Sequence, residues 1–302
     1  MNRWVEAARP RTLPLAISSI LLGNFLAFAQ GTFHWAIAVL AVLTTLGLQI
    51  LSNFANDLGD FTNGIDTQDR TVALRAVQTG KISQSEMQIA VRLSAGISFT
   101  LGIGLLFVGL QNESLQTWMG FLGLGIACIA AAIAYTVGKR PYGYMGLGDL
   151  SVFIFFGLVG TMGSYFLQTK SIPIHIAIPA SGCGFLSVAV LNLNNLRDLD
   201  NDKRSGKFSI PVRIGKIFGF YYQKALLILG IICFAAYHFI ALETASSTTS
   251  NLLVLLGYYP IIQLVRELNP EMTPAEIDPY LKKTALRTLF LILLFGISEI
   301  IQ

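Results

Sequence analysis

Long apolar stretches alternate with short polar ones along most of the chain. A helix needs about 20 apolar residues to cross the hydrocarbon core of a bilayer. Nine stretches approach that length, and the eighth is the shortest: 13–30, 34–54, 90–110, 117–137, 148–167, 173–195, 217–241, 251–265 and 284–301. The pattern predicts an all-α polytopic membrane protein with nine transmembrane helices, in which residues 1–302 form a single membrane-embedded domain. The polar segment 266–283 holds three prolines and is predicted to be a surface loop with at most one short helix.

The connections between the spans differ in their content of Lys and Arg. If the N-terminus is cytoplasmic, 20 of the 21 basic residues lie in inside segments or adjoining helix ends, and only Lys170 lies outside. Membrane proteins carry such an excess of basic residues in their cytoplasmic connections. The charge pattern therefore predicts a cytoplasmic N-terminus and an outside C-terminus, in a multi-pass protein of the inner (plasma) membrane.

Composition supports a membrane protein and narrows the functional classes. Charged residues make up 13% of the chain and hydrophobic residues 53%, whereas soluble domains carry about 25% charged residues. The net charge of +4 is not gathered into a basic patch interleaved with aromatic residues, so nucleic-acid binding is not expected. The three cysteines stand singly and the three histidines share no ligand spacing. Disulfides and a histidine metal site are therefore not expected.

Acidic residues concentrate in two segments. The first acidic segment, "NFANDLGDFTNGIDTQDR" (residues 53–70), ends the second predicted span, and the second, "NLNNLRDLDNDKRSGK" (residues 192–207), ends the sixth. Residues three, four and seven apart share a helix face. Two sets of side chains follow this spacing: Asn53, Asn56, Asp57 and Asp60, and then Asn194, Asn195, Asp198 and Asp202. Because both spans are even-numbered, we expect both faces on the cytoplasmic side.

Acidic residues at the end of a single helix are commonly only solvated surface residues without a function. Two such ends at matching depth favour a function, because polar groups at the membrane are costly and are kept mostly where they are used. Carboxylate and amide oxygens suit Mg²⁺, which typically binds one or two carboxylates together with substrate phosphates. Two facing clusters therefore predict a site that holds a diphosphate through bridging Mg²⁺. A polyprenyl diphosphate fits, since its tail would extend to bilayer depth.

The same residues carry a resemblance to a known family. Over nearly its whole length the chain resembles the UbiA superfamily of intramembrane aromatic prenyltransferases, in its nine-span layout and in "NDLGD" and "RDLDND" after the second and sixth spans. "YTVGK" (Tyr135 to Lys139) is similar to the YxxxK element of that superfamily. The spacing NDxGDxxxGxDxxDR, followed by "RAVQTGKIS" (residues 75–83), resembles the branch that prenylates 1,4-dihydroxy-2-naphthoate.

The resemblance implies a Mg²⁺-dependent enzyme. It would transfer a polyprenyl group from polyprenyl diphosphate to 1,4-dihydroxy-2-naphthoate, with loss of CO₂ and diphosphate, and give demethylmenaquinone at an active site that faces the cytoplasm. Tyr135 would stabilise an allylic cation and Lys139 would bind the diphosphate, with Arg197 and Arg11 as further candidates. The expected metal ligands are Asn56, Asp57, Asp60, Asp66, Asp198 and Asp202.

One departure and two alternatives accompany this hypothesis. Gly64 stands where many superfamily members have an aspartate, and Asp66 follows two residues later. Other aromatic acceptors stay open, namely 4-hydroxybenzoate, homogentisate or haem, because such enzymes share the metal site and differ in the acceptor pocket. A membrane transporter is the alternative from another class. It is disfavoured because transport favours charges near the midplane, and the interiors of the predicted spans are almost free of charge.

Overall fold

A computed structural model describes residues 2–65, 74–242 and 248–301. Over these residues the secondary structure is helical, without strands. The helices are α1 (Arg3–Ala7), α2 (Leu13–Ala29), α3 (Trp35–Thr62), α4 (Gln84–Gly109), α5 (Leu115–Ala134), α6 (Gly148–Val152), α7 (Gly160–Thr169), α8 (Ala177–Arg197), α9 (Leu199–Arg204), α10 (Ile210–Ile214), α11 (Lys216–Leu242), α12 (Thr248–Glu267) and α13 (Pro274–Ile300). A π-helical segment, Phe153–Val159, joins α6 to α7, and 3₁₀ turns cover Pro10–Thr12, Tyr142–Met145 and Ile174–Ile176.

Nine long helical rods within the described ranges follow the nine predicted spans in order, if α6, the π-helical segment and α7 are taken as one rod. Among the described residues, seven stretches are long and apolar enough to cross a membrane. The prediction of an all-helical, multi-pass architecture is therefore confirmed. Two rods, α12 and α13, lie outside these seven; α13 carries several charges in its first half. The count of nine spans stays a prediction.

The end of α3 explains the glycine that departs from the superfamily pattern. The helix continues to Thr62, so the first acidic face belongs to one uninterrupted helix. The Ile65 amide donates to the Asp60 carbonyl at 2.9 Å and the Gly64 amide to that of Phe61 at 3.2 Å. This bond pair is a Schellman motif, whose C′ residue adopts a left-handed conformation. Gly64 has a φ of +70°, which an aspartate would adopt only at a cost.

The prediction of a surface loop over residues 266–283 is wrong for its second half, because α13 already begins at Pro274. A capping box starts the helix: the Glu276 amide donates to Thr273 Oγ1 at 3.4 Å, and the Thr273 amide to the Glu276 carboxylate at 2.7 Å. Such reciprocal bonds satisfy amides that have no partner within the helix. The prolines of this segment therefore do not prevent a helix, and α13 carries Asp278 toward the second acidic segment.

The rods pack through small residues where their backbones cross. Between apolar helices in lipid, close approach at small side chains replaces the hydrophobic drive of a soluble core. At the crossing of the π-helical segment and α8, a Cβ added to Gly157 would lie 2.7 Å from the Gly184 Cα. A larger residue would separate the two helices at this point.

We expect Gly157→Ala to destabilise the protein by about 1–3 kcal/mol, the usual cost of overpacking. The added methyl group would also lie 2.8 Å from the Ala180 carbonyl oxygen. Gly163→Ala, on the same rod, is the matched control, since no neighbouring atom lies within 4 Å of its Cβ position. The measurement is thermal unfolding in detergent. Equal midpoints for the two variants would contradict this packing.

Candidate active site

The structure brings the two acidic segments together at one end of the bundle. Asn201 of α9 donates from Nδ2 to the Ile65 carbonyl at 2.9 Å, which joins the end of one segment to the other. Burial raises the pKa of Asp202; Lys207 opposes the shift, whereas repulsion from Asp198 and Asp60 adds to it. Carboxylates from both segments therefore lie within electrostatic range of one another.

A cavity of about 370 Å³ runs from this acidic end into the bundle. One face of α3 lines it, at positions three or four apart: Ala41, Thr44, Thr45, Leu48, Gln49, Ser52, Asn53, Asn56 and Asp60. With a rise of about 1.5 Å per residue, Ala41 and Asp60 are about 28 Å apart along the helix, close to the thickness of about 30 Å of the hydrocarbon core. The deep walls include Leu105, Leu106 and Leu167. The cavity is thus polar at one end and apolar along its depth.

Asp60 lies at the polar end and is held by two donors from other parts of the chain. Its side chain is only 3% exposed. Arg75 forms an ion pair with its carboxylate and donates to the Asn56 carbonyl, and the Tyr144 hydroxyl donates to the same carboxylate. A buried charge needs such partners because desolvation is expensive. The sequence interpretation missed both: Arg75 begins the "RAVQTGKIS" stretch, which could have indicated it, whereas nothing local marks Tyr144.

Asp57 has a different environment from Asp60. Its carboxylate accepts hydrogen bonds from the Ala76 and Val77 amides, at 3.1 and 3.3 Å, and it is not among the described residues that line the cavity. This contact attaches the segment after the undescribed residues 66–73 to α3. The attachment places Arg75 beside Asp60, so Asp57 acts on the site through Arg75 in this structure.

Each described aspartate of the second segment that the sequence nominated also has a cation of its own. Arg197 donates from Nε and Nη2 to the two oxygens of Asp198, both at 2.8 Å. Lys207 Nζ lies 2.9 Å from Asp202 Oδ2. Lys207 lines the cavity, whereas Arg197 and the two aspartates themselves are not among the described lining residues. The two pairs therefore differ in how they could meet a ligand in the cavity.

The remaining predicted residues divide in the same way. Tyr135 lines the cavity, and its ring contacts Tyr142 edge-on, with the centroids 5.3 Å apart. Lys139 is exposed, and Arg11 pairs with Asp278; neither is among the described lining residues. The predicted roles of these side chains stay predictions. Asp66 falls outside the residues that the structure describes.

The chemistry of the acidic end fits a hard divalent cation. Its donors are oxygens: the side chains of Asp60, Asp198 and Asp202, with the Asn56 amide, which also accepts from the Thr136 hydroxyl. Such a donor set suits Mg²⁺. Over the described ranges, no three His, Cys, Asp or Glu side chains are gathered closely enough to hold a metal as they stand. Each of these carboxylates already forms an ion pair with an arginine or a lysine. A metal would therefore have to bind the same carboxylates together with those cations.

We expect Asp57→Ala to release the segment that begins at Leu74, because the Ala76 and Val77 amides would lose their acceptor. Hydrogen exchange of a peptide covering residues 74–83 should become markedly faster. Asp200→Ala is the control, since Asp200 is exposed and belongs to the second acidic segment. Unchanged exchange in the Asp57 variant would show that other contacts hold the segment.

Comparison with known proteins agrees with this geometry. The UbiA prenyltransferase family matches residues 16–276. The 1,4-dihydroxy-2-naphthoate octaprenyltransferase of Haemophilus influenzae is 44% identical, over 100% of this chain and 96% of that protein. Its namesake from Escherichia coli is 41% identical, over 97% and 93%.

Solved structures show the same fold. A UbiA homologue from Aeropyrum pernix has a TM-score of 0.67 at 18% identity, over 95% of this chain and 97% of that one. A UbiA homologue from Archaeoglobus fulgidus bound to GPP and Mg²⁺ has a TM-score of 0.63 at 16% identity, over 99% and 100%. The match over most of the chain and the two full-length relatives lead to one assignment: the chain belongs to the UbiA prenyltransferase family.

Proposed function

We propose that the protein transfers a polyprenyl group from polyprenyl diphosphate to 1,4-dihydroxy-2-naphthoate and releases CO₂ and diphosphate. The observation that carries this proposal is the full-length similarity to octaprenyltransferases named for that acceptor. The product is demethylmenaquinone, formed in its quinol state. The protein is accordingly a prenyltransferase of menaquinone biosynthesis.

The shape of the cavity supports the donor. Its polar end holds Asp60 together with the cations of two buried ion pairs, Arg75 and Lys207, and Arg9 also lines the cavity. A diphosphate at this end would meet both cations, and charge-assisted contacts to phosphate oxygens are strong. The lining face of α3 extends for about 28 Å from Ala41 to Asp60, and apolar side chains from other helices, such as Leu105, Leu106 and Leu167, surround its deep end. This gives room for a long tail at bilayer depth. A polar head and a long apolar tail are the two features of a polyprenyl diphosphate.

We assign the metal site to the oxygens of Asn56, Asp60, Asp198 and Asp202. Mg²⁺ bound there would act as a Lewis acid on the leaving diphosphate. The Archaeoglobus fulgidus homologue described as bound to GPP and Mg²⁺ supports this choice of cation. Asp66 stays a predicted ligand. For Asp57 we favour an indirect role, because its two oxygens accept backbone amides.

The chemistry follows from where the groups lie. The bond between the first prenyl carbon and the diphosphate oxygen breaks, and its electron pair leaves with the diphosphate, which Arg75 and Lys207 would neutralise. The allylic cation forms in an apolar cavity that excludes water, beside the ring of Tyr135. The acceptor carbon that bears the carboxylate then forms the new carbon–carbon bond. Loss of CO₂ from that carbon restores the aromatic ring.

We further propose nine membrane spans, with the N-terminus and the acidic end in the cytoplasm of the inner membrane. The distribution of Lys and Arg supports this orientation, since only Lys170 would lie outside. The Lys170 ammonium donates to the Gly109 carbonyl at the end of α4. A helix C-terminus is a favourable place for a cation, so this lysine has a local structural reason to lie there.

The reaction can be tested with membranes that contain the protein, a polyprenyl diphosphate, Mg²⁺ and one of two acceptors. With 1,4-dihydroxy-2-naphthoate, mass spectrometry should detect a prenylated product that has lost CO₂. With 4-hydroxybenzoate, no comparable product should form. Prenylation of 4-hydroxybenzoate alone would contradict the proposed acceptor.

The same assay tests the acidic residues. Asp60→Ala and Asp198→Ala should each lower the turnover rate by about 100-fold or more, the scale of losing one stabilising group at a reacting centre. Asp200→Ala is the control, because Asp200 is exposed and its loss should change the rate little. Turnover that survives both changes, or survives full chelation of divalent metal, would contradict the proposed site.

The depth of the cavity gives a further prediction for the prenyl donor. Gly163 lines the cavity, and no neighbouring atom lies within 4 Å of its Cβ position. Gly163→Leu should fill part of the deep end and lower kcat/KM for long donors by about tenfold or more, while shorter donors are affected less. Gly96→Leu is the control, because Gly96 on α4 is exposed and has an equally open Cβ position. An unchanged ratio between long and short donors would contradict this position for the tail.

A further inference from the structure

Asp278 joins three parts of the chain at the edge of the acidic site. Its carboxylate accepts from Arg197 Nη1 at 2.7 Å and from Arg11 Nη1 at 3.1 Å. Arg11 belongs to the turn before α2, Arg197 ends α8, and Asp278 lies in the first turns of α13. The family match covers residues 16–276, so Arg11 and Asp278 lie just outside it.

Arg197 is held on every side by these contacts. Its side chain is 2% exposed. Besides its bidentate contact with Asp198, it donates from Nη2 to the Asn194 side chain at 2.8 Å and from Nη1 to Asp278. A guanidinium is planar and presents its donors in a fixed arrangement. Fixing Nη1 therefore fixes the direction in which Nε and Nη2 meet Asp198.

Asp198 needs such orientation because it stands at a break in the helix. It is the residue between α8 and α9, and its side chain caps neither helix by a hydrogen bond. Each carboxylate oxygen can accept two hydrogen bonds or ligands. The contact with Arg197 uses one acceptor position on each oxygen and so orients the carboxylate.

Arg197 and Arg11 differ from the cations that face the cavity. Arg75 and Lys207 line it, whereas the two arginines that contact Asp278 are not among the described lining residues. The pair Arg11–Asp278 is partly exposed, with 31% and 27% of the side chains accessible. Exposed pairs contribute little to stability. The Arg11–Asp278 pair therefore contributes little to holding α13 in place. Orientation of Asp198 through Arg197 explains the contacts of Asp278 better.

We propose that Asp278 is a positioning residue of the active site, which fixes Arg197 so that Arg197 holds Asp198 in the orientation that the divalent metal requires. The inference rests on the proposed metal-dependent function and deepens it. Arg197 acts through Asp198 in this arrangement and does not contact the diphosphate. Arg11 contributes by donating to both oxygens of the Asp278 carboxylate, each at 3.1 Å.

The test is Asp278→Asn in the full-length purified protein, read out first by metal binding. Electron paramagnetic resonance of added Mn²⁺ measures bound metal without turnover. The variant should bind Mn²⁺ at least tenfold more weakly than the unchanged protein. In the prenylation assay its half-saturating Mg²⁺ concentration should rise by a similar factor, with less than a twofold change in KM for the naphthoate.

Two further variants separate positioning from folding. Asp278→Glu keeps the charge and should recover most of the Mn²⁺ binding. Glu276→Gln, one half-turn earlier on α13, keeps a side chain suited to the capping box and should bind Mn²⁺ as the unchanged protein does. If Asp278→Asn fails to fold, Arg197→Lys replaces it, because a lysine cannot hold Asp198 and Asp278 in one plane. It should show the same weakened Mn²⁺ binding.

The possible failures are distinguishable. Mn²⁺ binding in Asp278→Asn equal to that of the unchanged protein would overturn the positioning role and leave the proposed function standing. Weakened binding that Asp278→Glu does not recover would also overturn it, because charge would not be the cause. If the unchanged protein bound no Mn²⁺ and showed no metal-dependent turnover, the proposed metal site would fall, and this inference with it.

Discussion

The interaction on which the acidic site depends is the pairing of three buried aspartates, Asp60, Asp198 and Asp202, with cations of the same chain. Asp60, Asp198 and Asp202 are almost inaccessible to solvent, so their charges are poorly hydrated, and the charge of Asp202 is repelled by the other two. Removing one partner of such a buried pair costs about 3–5 kcal/mol, because it leaves an uncompensated charge. The cations therefore keep these carboxylates charged and buried at the end of the bundle where the proposed metal would bind.

The cations differ in what they are free to do. Arg75 and Lys207 reach the cavity, and a bound diphosphate would offer each of them a second anionic partner. Arg197 is enclosed by Asp198, Asn194 and Asp278, so its role is tied to the protein. One set of ion pairs can therefore exchange partners with a substrate, while the other set keeps its geometry. In the proposed enzyme, Arg197 would keep its contacts when substrate binds, whereas Arg75 and Lys207 would be able to contact the diphosphate.

The cavity arises from the length of α3 and the size of its side chains. One face of this helix changes from Ala41 and two threonines at the deep end to asparagines and Asp60 at the other. Small residues at this face leave space beside the helix, and the change in polarity separates a tail region from a head region. The Schellman motif at Gly64 ends the helix just beyond Asp60. The position of that glycine thus decides where the polar end stops.

Hydrophobic periodicity and charge by themselves predicted the all-helical, multi-pass class, the order of the long helices and the placement of both acidic segments at one end of the bundle. These are properties of contiguous residues, because a helix must satisfy its own backbone in lipid and its faces follow from spacing. The resemblance carried by the motifs led to the family. Local pattern was less reliable over residues 266–283, where three prolines suggested a loop and a capping box at Thr273 begins a helix.

Only the tertiary structure decided which side chain serves which aspartate. Tyr144 contacts Asp60, and Asp278 contacts Arg11 and Arg197, across separations of about 80 to 270 positions. No local pattern encodes such pairs, since each residue is ordinary in its own segment. Asp57 and Asp60 look equivalent by spacing, yet one accepts backbone amides and the other borders the cavity. Their difference is set by the segment after Leu74, which packs against only one of them through its backbone.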